Sequence, residues 1–185
     1  MKNFNITVIK PNLPFKIAHQ NVTFPSVRMF LSPKYHYQID YDVYLEDYSI
    51  NLQRDFVWTE FQKQQFILSI LKGINIPQVA AVIYSPDDET DVYKIVDGKQ
   101  RFSALFDFVA NKFPIPCEDE LFYFDELPEE VRNFLLRFEF QGQAAYSYPT
   151  KKISDAGLIQ WFRLLNFAGT EQEKEHIELL KSKLQ

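Results

Sequence analysis

The run Asp97-Gly98-Lys99-Gln100-Arg101 brings a carboxylate, a glycine, two cations and a carboxamide together within five positions of this 185-residue chain. These are groups that bind and orient phosphate. Arginine grips a phosphate with two parallel hydrogen bonds, and glycine lets the backbone turn sharply or approach a ligand closely. The flanks say where the run sits. Val92 to Val96 is an extended stretch, and Phe102, Leu105, Phe106 and Val109 fall at i, i+3, i+4 and i+7, the apolar stripe of a helix. Asp97 to Arg101 are therefore expected where a strand ends and a helix begins, a place where unpaired amides and the helix dipole attract anions. Asp97 has three readings: a helix cap, the partner that orients Arg101, or a ligand of a metal carried on a nucleotide. The competing account is an ordinary surface turn, with Asp97 as cap and Arg101 paired to a nearby carboxylate. The run lacks the glycine spacing of a P-loop or of a dinucleotide-binding turn.

Other elements must bring partners to this turn. Ile39, Tyr41, Val43 and Leu45 alternate with mainly polar residues, which predicts a half-buried strand. A second strand through Tyr48-Ser49-Ile50-Asn51-Leu52 delivers Gln53 and Arg54, with Trp58 beyond them. Thr59-Glu60-Phe61-Gln62 is a capping box opening a helix that stops at Gly73. Val79 to Tyr84 reads as a strand, joined to the next by the hairpin-like loop Ser85 to Thr90. Pro128 and the acids after it start a helix near Glu129. Arg137 to Tyr148 alternates as a strand, and Ser154 caps a helix through Asn166. Thr170-Glu171-Gln172-Glu173 is a second capping box, opening a charged last helix to about Lys183. Pro11, Pro14, Pro25 and Pro33 make residues 1–34 an extended arm or edge strands rather than a helix, packed on the domain or reaching a partner subunit. The sum is a mixed α+β domain.

In order along the chain stand Gln53-Arg54 with Trp58, Gly73 with Ile76-Pro77, Asp97-Gly98 with Gln100-Arg101, and Phe162 with Asn166 and Gly169. This set, over roughly residues 40–180, resembles the N-terminal domain of GmrSD-type modification-dependent restriction enzymes. The resemblance implies a ParB/sulfiredoxin-like nucleotide-binding fold: a small mixed sheet with packed helices and a helical C-terminal part. Residues 1–37 are then a Pro-rich extension and 38–185 the domain. It further implies a nucleoside triphosphate with Mg²⁺, bound by Gln53, Arg54, Gly98, Lys99, Arg101 and Asn166. Asp97, Gln100 and Arg101 would carry any hydrolysis, and Asp97 would hold the metal. In the family, nucleotide use is tied to recognising or cutting DNA, in a restriction or phage-conflict setting. One departure is Lys99, where the family pattern has Gln. A second is that His19, His36 and His176 are scattered, so no HNH-like nuclease motif is visible in this sequence.

Each residue also has a plainer reading. Arg54 can stack on Trp58 as a structural cation–π pair. Gln100 can position a hydrolytic water or simply bind the turn backbone. Asn166 sits where a helix ends, where Asn is common. Trp161 and Phe162 read as core.

Composition sets bounds. At 46% hydrophobic and 16% aromatic the chain is globular, with 18 Phe and 10 Tyr to fill a core. The single cysteine, Cys117, excludes an internal disulfide and fits a reducing cytoplasm. Its acidic neighbours Glu118-Asp119-Glu120 disfavour a nucleophilic role, which also argues against sulfiredoxin chemistry. No apolar run is long enough to span a bilayer. The net charge of −5 argues against a strong general nucleic-acid binder. Lys151-Lys152 and the Arg54, Lys99 and Arg101 group are the concentrated cationic candidates for DNA contact. The expected function is binding, with or without hydrolysis, of a nucleoside triphosphate in a DNA-linked system. The alternatives are a non-catalytic module that binds DNA or a nuclease partner in trans or self-associates, and a metal-dependent DNA nickase.

Overall fold

The chain folds around a five-stranded mixed sheet covered on both faces. The computed structural model describes residues 19–53, 55, 57–87, 89–148, 152–167 and 182. The second capping box, the last charged helix, Arg54, Lys151 and Gly169 therefore lie outside the described residues. In chain order the strands are β1 (His19–Thr23), β2 (Tyr37–Asp40), β3 (Tyr44–Leu45), β4 (Ile50–Asn51), β5 (Val79–Tyr84), β6 (Asp91–Asp97), β7 (Ile115–Cys117), β8 (Glu120–Phe122) and β9 (Gln141–Ser147). The helices are α1 (Val27–Leu31), α2 (Glu60–Leu71), α3 (Lys99–Val109), α4 (Glu129–Leu136) and α5 (Asp155–Phe167). The main sheet runs β1-β9-β5-β6-β2, with β3–β4 and β7–β8 as separate two-stranded ribbons. β9 and β5 are parallel, as are β6 and β2; the other two pairings are antiparallel.

The apolar run Val79-Ala-Ala-Val-Ile explains why both faces are covered. Val79, Ala81 and Ile83 enter one core with α1 to α4, while Ala80 and Val82 enter a second core with α5 and the β3–β4 ribbon. A strand buried on both sides has no polar alternation. In the first core Phe24, Phe66, Phe102, Phe108 and Phe140 pack together; Phe102 and Phe140 have ring centroids 4.2 Å apart. In the second, Trp161 and Phe162 are each 1% exposed, as core residues should be.

The helix signals were local and the structure carries them out. Thr59 accepts from the Gln62 amide while the Gln62 side chain accepts from the Thr59 amide, and the helix closes at Gly73 through bonds from Gly73 to Ile70 and from Ile74 to Ser69. The Ser154 hydroxyl accepts from the Gly157 amide at the start of α5.

Four expectations are corrected. Residues 1–34 are not free of helix: α1 forms between Pro25 and Pro33, a window long enough for a short helix, held by buried Val27. The single strand expected over Ile39 to Leu45 is two. Asp40 accepts from the Asp42 amide and the Tyr44 amide bonds to the Asp42 carbonyl, turning the chain at the sheet edge. Ile39 and Tyr41 consequently pack on the first core, and Val43 and Leu45 in the second. The strand expected over Tyr48 to Leu52 is only Ile50–Asn51, because Glu46–Tyr48 forms a 3-10 turn. The strand expected from Arg137 begins at Gln141, since Arg137 still closes α4.

Candidate functional site

β6 ends with a β-bulge that sets up the site. Along β5, Ala80 and Ala81 are neighbours; on β6 their partners are Asp97 and Ile95, so Val96 is an extra residue. A bulge leaves its extra residue without a ladder partner and bends the strand. The carbonyl of Val96 is satisfied by Gln53, whose Nε2 donates to it from the end of the β3–β4 ribbon. Gln53 is 7% exposed, and its own amide donates to the Asn51 side chain at 3.0 Å. Gln53 thus braces the strand end from which Asp97 emerges. Gln53→Ala removes the donor to a buried carbonyl and is expected to cost about 1–3 kcal/mol. Urea denaturation measures this, and an unchanged midpoint would refute the bracing role.

After Asp97 the backbone turns at Gly98, which has φ 105° and stands at the N-cap of α3. A Cβ there would lie 2.6 Å from Val79 Cγ1, so the turn requires glycine both for its conformation and for the close approach to β5. Gly98 has no side chain to cap the helix, and the first helical bond runs from Phe102 to Gly98. The amides of Lys99, Gln100 and Arg101 accordingly form an uncapped helix start, with the positive end of the dipole behind them.

The side chains of the turn point to different partners. Asp97 does not cap α3. Its Oδ2 accepts from Arg101 Nη2 at 2.7 Å, and Arg101 Nη1 donates to the Pro77 carbonyl at 3.1 Å. The Arg101 side chain is 13% exposed and Asp97 27%. Lys99 Nζ lies 3.6 Å from Asp42 Oδ1, which also accepts from Asn51 at 3.0 Å. The Lys99 side chain is 11% exposed whereas Asp42 is 77% exposed, so this ion pair has one end in water and is the weaker of the two. Gln100 is engaged at both ends of its amide: its Oε1 accepts from the Val57 and Trp58 amides at 3.0 and 3.1 Å, and its Nε2 donates to the Asp55 carbonyl at 3.2 Å. It fastens the segment following Gln53 and Arg54 to the start of α3. Trp58 then packs edge-on against Phe66, ring centroids 5.5 Å apart.

Gln53, Asp97, Gly98, Lys99, Gln100 and Arg101 thus gather at one end of β6, though Gln53 and Gln100 spend their amides on backbone. Asn166 donates to the Phe162 carbonyl one helical turn back, at 2.7 Å, and no bond joins it to the turn. Sequence reasoning missed Asp42, which faces Lys99, and the Pro77 carbonyl, which receives Arg101. Asp42 read as one polar position in an alternating strand, and no local signal distinguishes it. Among the described residues, no group of three or more His, Cys, Asp or Glu is placed to hold a metal ion. Among the same residues no helix is long and apolar enough to cross a membrane.

Residues 41–184 match a family model described as GmrSD restriction endonuclease, N-terminal domain. No curated protein and no solved structure matches the chain.

Proposed function

The chain belongs to the GmrSD restriction endonuclease N-terminal domain family, and from that premise we propose that it binds a nucleoside triphosphate at the turn between β6 and α3. The observation that carries this reading is the uncapped start of α3 with two shielded cations beside it. Phosphate oxygens would accept from the amides after Gly98, where the helix dipole favours anions. Arg101 is held by Asp97 and by the Pro77 carbonyl, which uses two of its five donors and leaves the others for phosphate. Lys99 would leave its solvent-facing partner Asp42 for the ligand. Such positioning and charge stabilisation is most of what phosphoryl chemistry asks of a protein.

In this reading the fold is of the ParB/sulfiredoxin-like nucleotide-binding kind, and the protein works in the cytoplasm. Mg²⁺ sites use one or two carboxylates plus substrate phosphate, so Asp97, through the oxygen that Arg101 does not occupy, would hold the ion carried by the phosphates, and the ion would neutralise their charge. Gln53 braces the site and Gln100 holds the backbone of Asp55, Val57 and Trp58 against it. The Gln100 oxygen already accepts two amides, so a part for Gln100 in turnover would run through the second N–H of its Nε2. Arg54 and Asn166 enter as nucleotide contacts on the family resemblance alone. The family description names a restriction endonuclease, so the nucleotide is tied here to DNA recognition or cleavage.

A second reading has its own support. Both cations of the turn already have intramolecular partners, so neither needs a ligand to balance its charge. The domain would then be a non-catalytic module acting with DNA or with a nuclease in trans. A nickase reading finds no acidic cluster around Asp97 among the described residues. Titration of the four ribonucleoside triphosphates with Mg²⁺ into the purified protein, followed by phosphate release, separates these cases. Micromolar binding that disappears in Arg101→Ala supports the pocket, and phosphate release makes it an NTPase. No binding, with nucleotide-independent capture of DNA or a nuclease, supports the second reading.

A further inference from the structure

We propose that β2 is the pairing edge of a symmetric dimer, in which it aligns antiparallel with β2 of a second copy. This inference needs no nucleotide, although Asp42, the partner of Lys99, takes part in both. β2 is the last strand of the main sheet, paired to β6 in regular register, and among the described residues no strand pairs with its other edge. An open edge presents unpaired backbone donors and acceptors, which proteins blunt with shortness, charge, proline, bulges or a covering element. β2 is short and carries its one charge at its last residue, Asp40; Tyr37-Gln38-Ile39 before it holds no charge or proline, and no bulge interrupts the strand. Its surroundings are exposed and partly apolar. Leu31 is 52% and Tyr35 38% exposed, and the Tyr35 ring stacks on Tyr37 with centroids 5.8 Å apart. Beside the strand lies an open cleft bordered by Phe30, Leu31, Tyr37, Ile39, Tyr41 and Phe106.

What selects a second copy as occupant is self-complementarity. A twofold contact uses the same patch on both sides. Directly opposed residues of antiparallel strands share a face, and faces alternate along the strand, so opposed residues differ by an even number of positions. Centring the axis on Gln38 meets this condition. Tyr37 of one copy then opposes Ile39 of the other, on the face where both residues pack against the first core. On the other face the turn carrying Lys34 and His36 comes alongside Asp40 and Asp42 of the second copy, which within their own copy lie 3.9 Å from Lys94 and 3.6 Å from Lys99 and keep a side open to solvent. Lys34, His36 and Asp42 are all exposed. Aromatic to β-branched and opposite-charge pairs across strands are favourable, and symmetry makes each of them twice. The basic-to-acidic order along Lys34 to Asp42 supplies both halves of the charge pattern, which a foreign strand would have to reproduce.

The test uses the full chain. Sedimentation across the micromolar range should show a monomer–dimer equilibrium, and Lys34→Glu should weaken the dimer about tenfold by replacing attraction with repulsion. Gln38→Cys, in a Cys117→Ser background, should cross-link to a dimer on mild oxidation, because the axis sets the two positions side by side. The wild-type chain, whose exposed Cys117 lies on β7, outside the main sheet, should not. Circular dichroism confirms that each variant is folded. A monomer at every concentration overturns the proposal, and capture of a foreign peptide by that monomer would give the edge to a different occupant. A dimer indifferent to Lys34→Glu that does not cross-link through Gln38→Cys also overturns it.

Discussion

Arg101→Ala is expected to abolish nucleotide binding while leaving a folded, somewhat weakened domain. A charge-assisted hydrogen bond contributes about 1.5–3 kcal/mol. Losing a two-pronged grip on phosphate should therefore cost about 3 kcal/mol or more, which is over 100-fold in affinity. The same substitution strands Asp97, which now has the guanidinium at 2.7 Å. Asp97 is 27% exposed and still reaches water, so the stability cost stays near about 1 kcal/mol. Arg101→Lys separates the effects of charge and shape, because lysine keeps the charge but not the planar fork. It should bind measurably but more weakly than wild type. Asp97→Asn removes the charge that orients Arg101 while keeping the side chain's shape, and should weaken binding less than loss of Arg101. Calorimetric titration with Mg²⁺-nucleotide, beside a thermal melt of each variant, reads all three. Undiminished affinity in a folded Arg101→Ala protein would remove the site from this turn.

The largest expected loss of stability comes from a residue with no chemistry. Gly142 opens β9 beside Val79 of β5 in the parallel pair. A Cβ on Gly142 would stand 2.0 Å from the Val79 carbonyl oxygen and under 3.0 Å from the Val79 carbonyl carbon and amide nitrogen, all backbone atoms that cannot rotate aside. Gly142→Ala must spread β5 from β9 at the centre of the sheet. This places the cost at the top of the overpacking range, about 3 kcal/mol, which is about 6–12 °C in Tm for a domain of this size. Because Val79 also packs against Gly98, the strain should reach the candidate site, and nucleotide affinity should fall along with stability. A melt within about 2 °C of wild type would mean that the strands separate more easily than this close approach implies.

Particular residues show how far the chain could be read without its structure. The strand–turn–helix at Asp97 to Arg101 was legible because its signals are local: an apolar extended run, a glycine, and a helical stripe within one stretch. The same holds for the Thr59 and Ser154 caps, whose partners lie three residues away. Ile39 to Leu45 misled because alternation reports only that side chains face opposite ways. It carries no information on whether the chain stays in one sheet, and Asp40 turns it from one core to the other. Pro25 and Pro33 misled in the opposite sense, since proline forbids helix at its own position and leaves the residues between free to form one.

What the sequence determined by itself was the identity and order of the turn's groups, and the elements on either side of it, since both depend on neighbours in the chain. What only the tertiary structure decided was the partner of each group. Asp97 holds Arg101 rather than capping α3, because Gly98 turns the helix start away from it. Gln53 braces the Val96 bulge, Gln100 fastens Asp55, Val57 and Trp58, and Lys99 rests on Asp42. Each of those contacts joins residues more than forty positions apart. They are set by how the β3–β4 ribbon and α2 pack around the end of β6, and packing over such distances leaves no local trace in the chain.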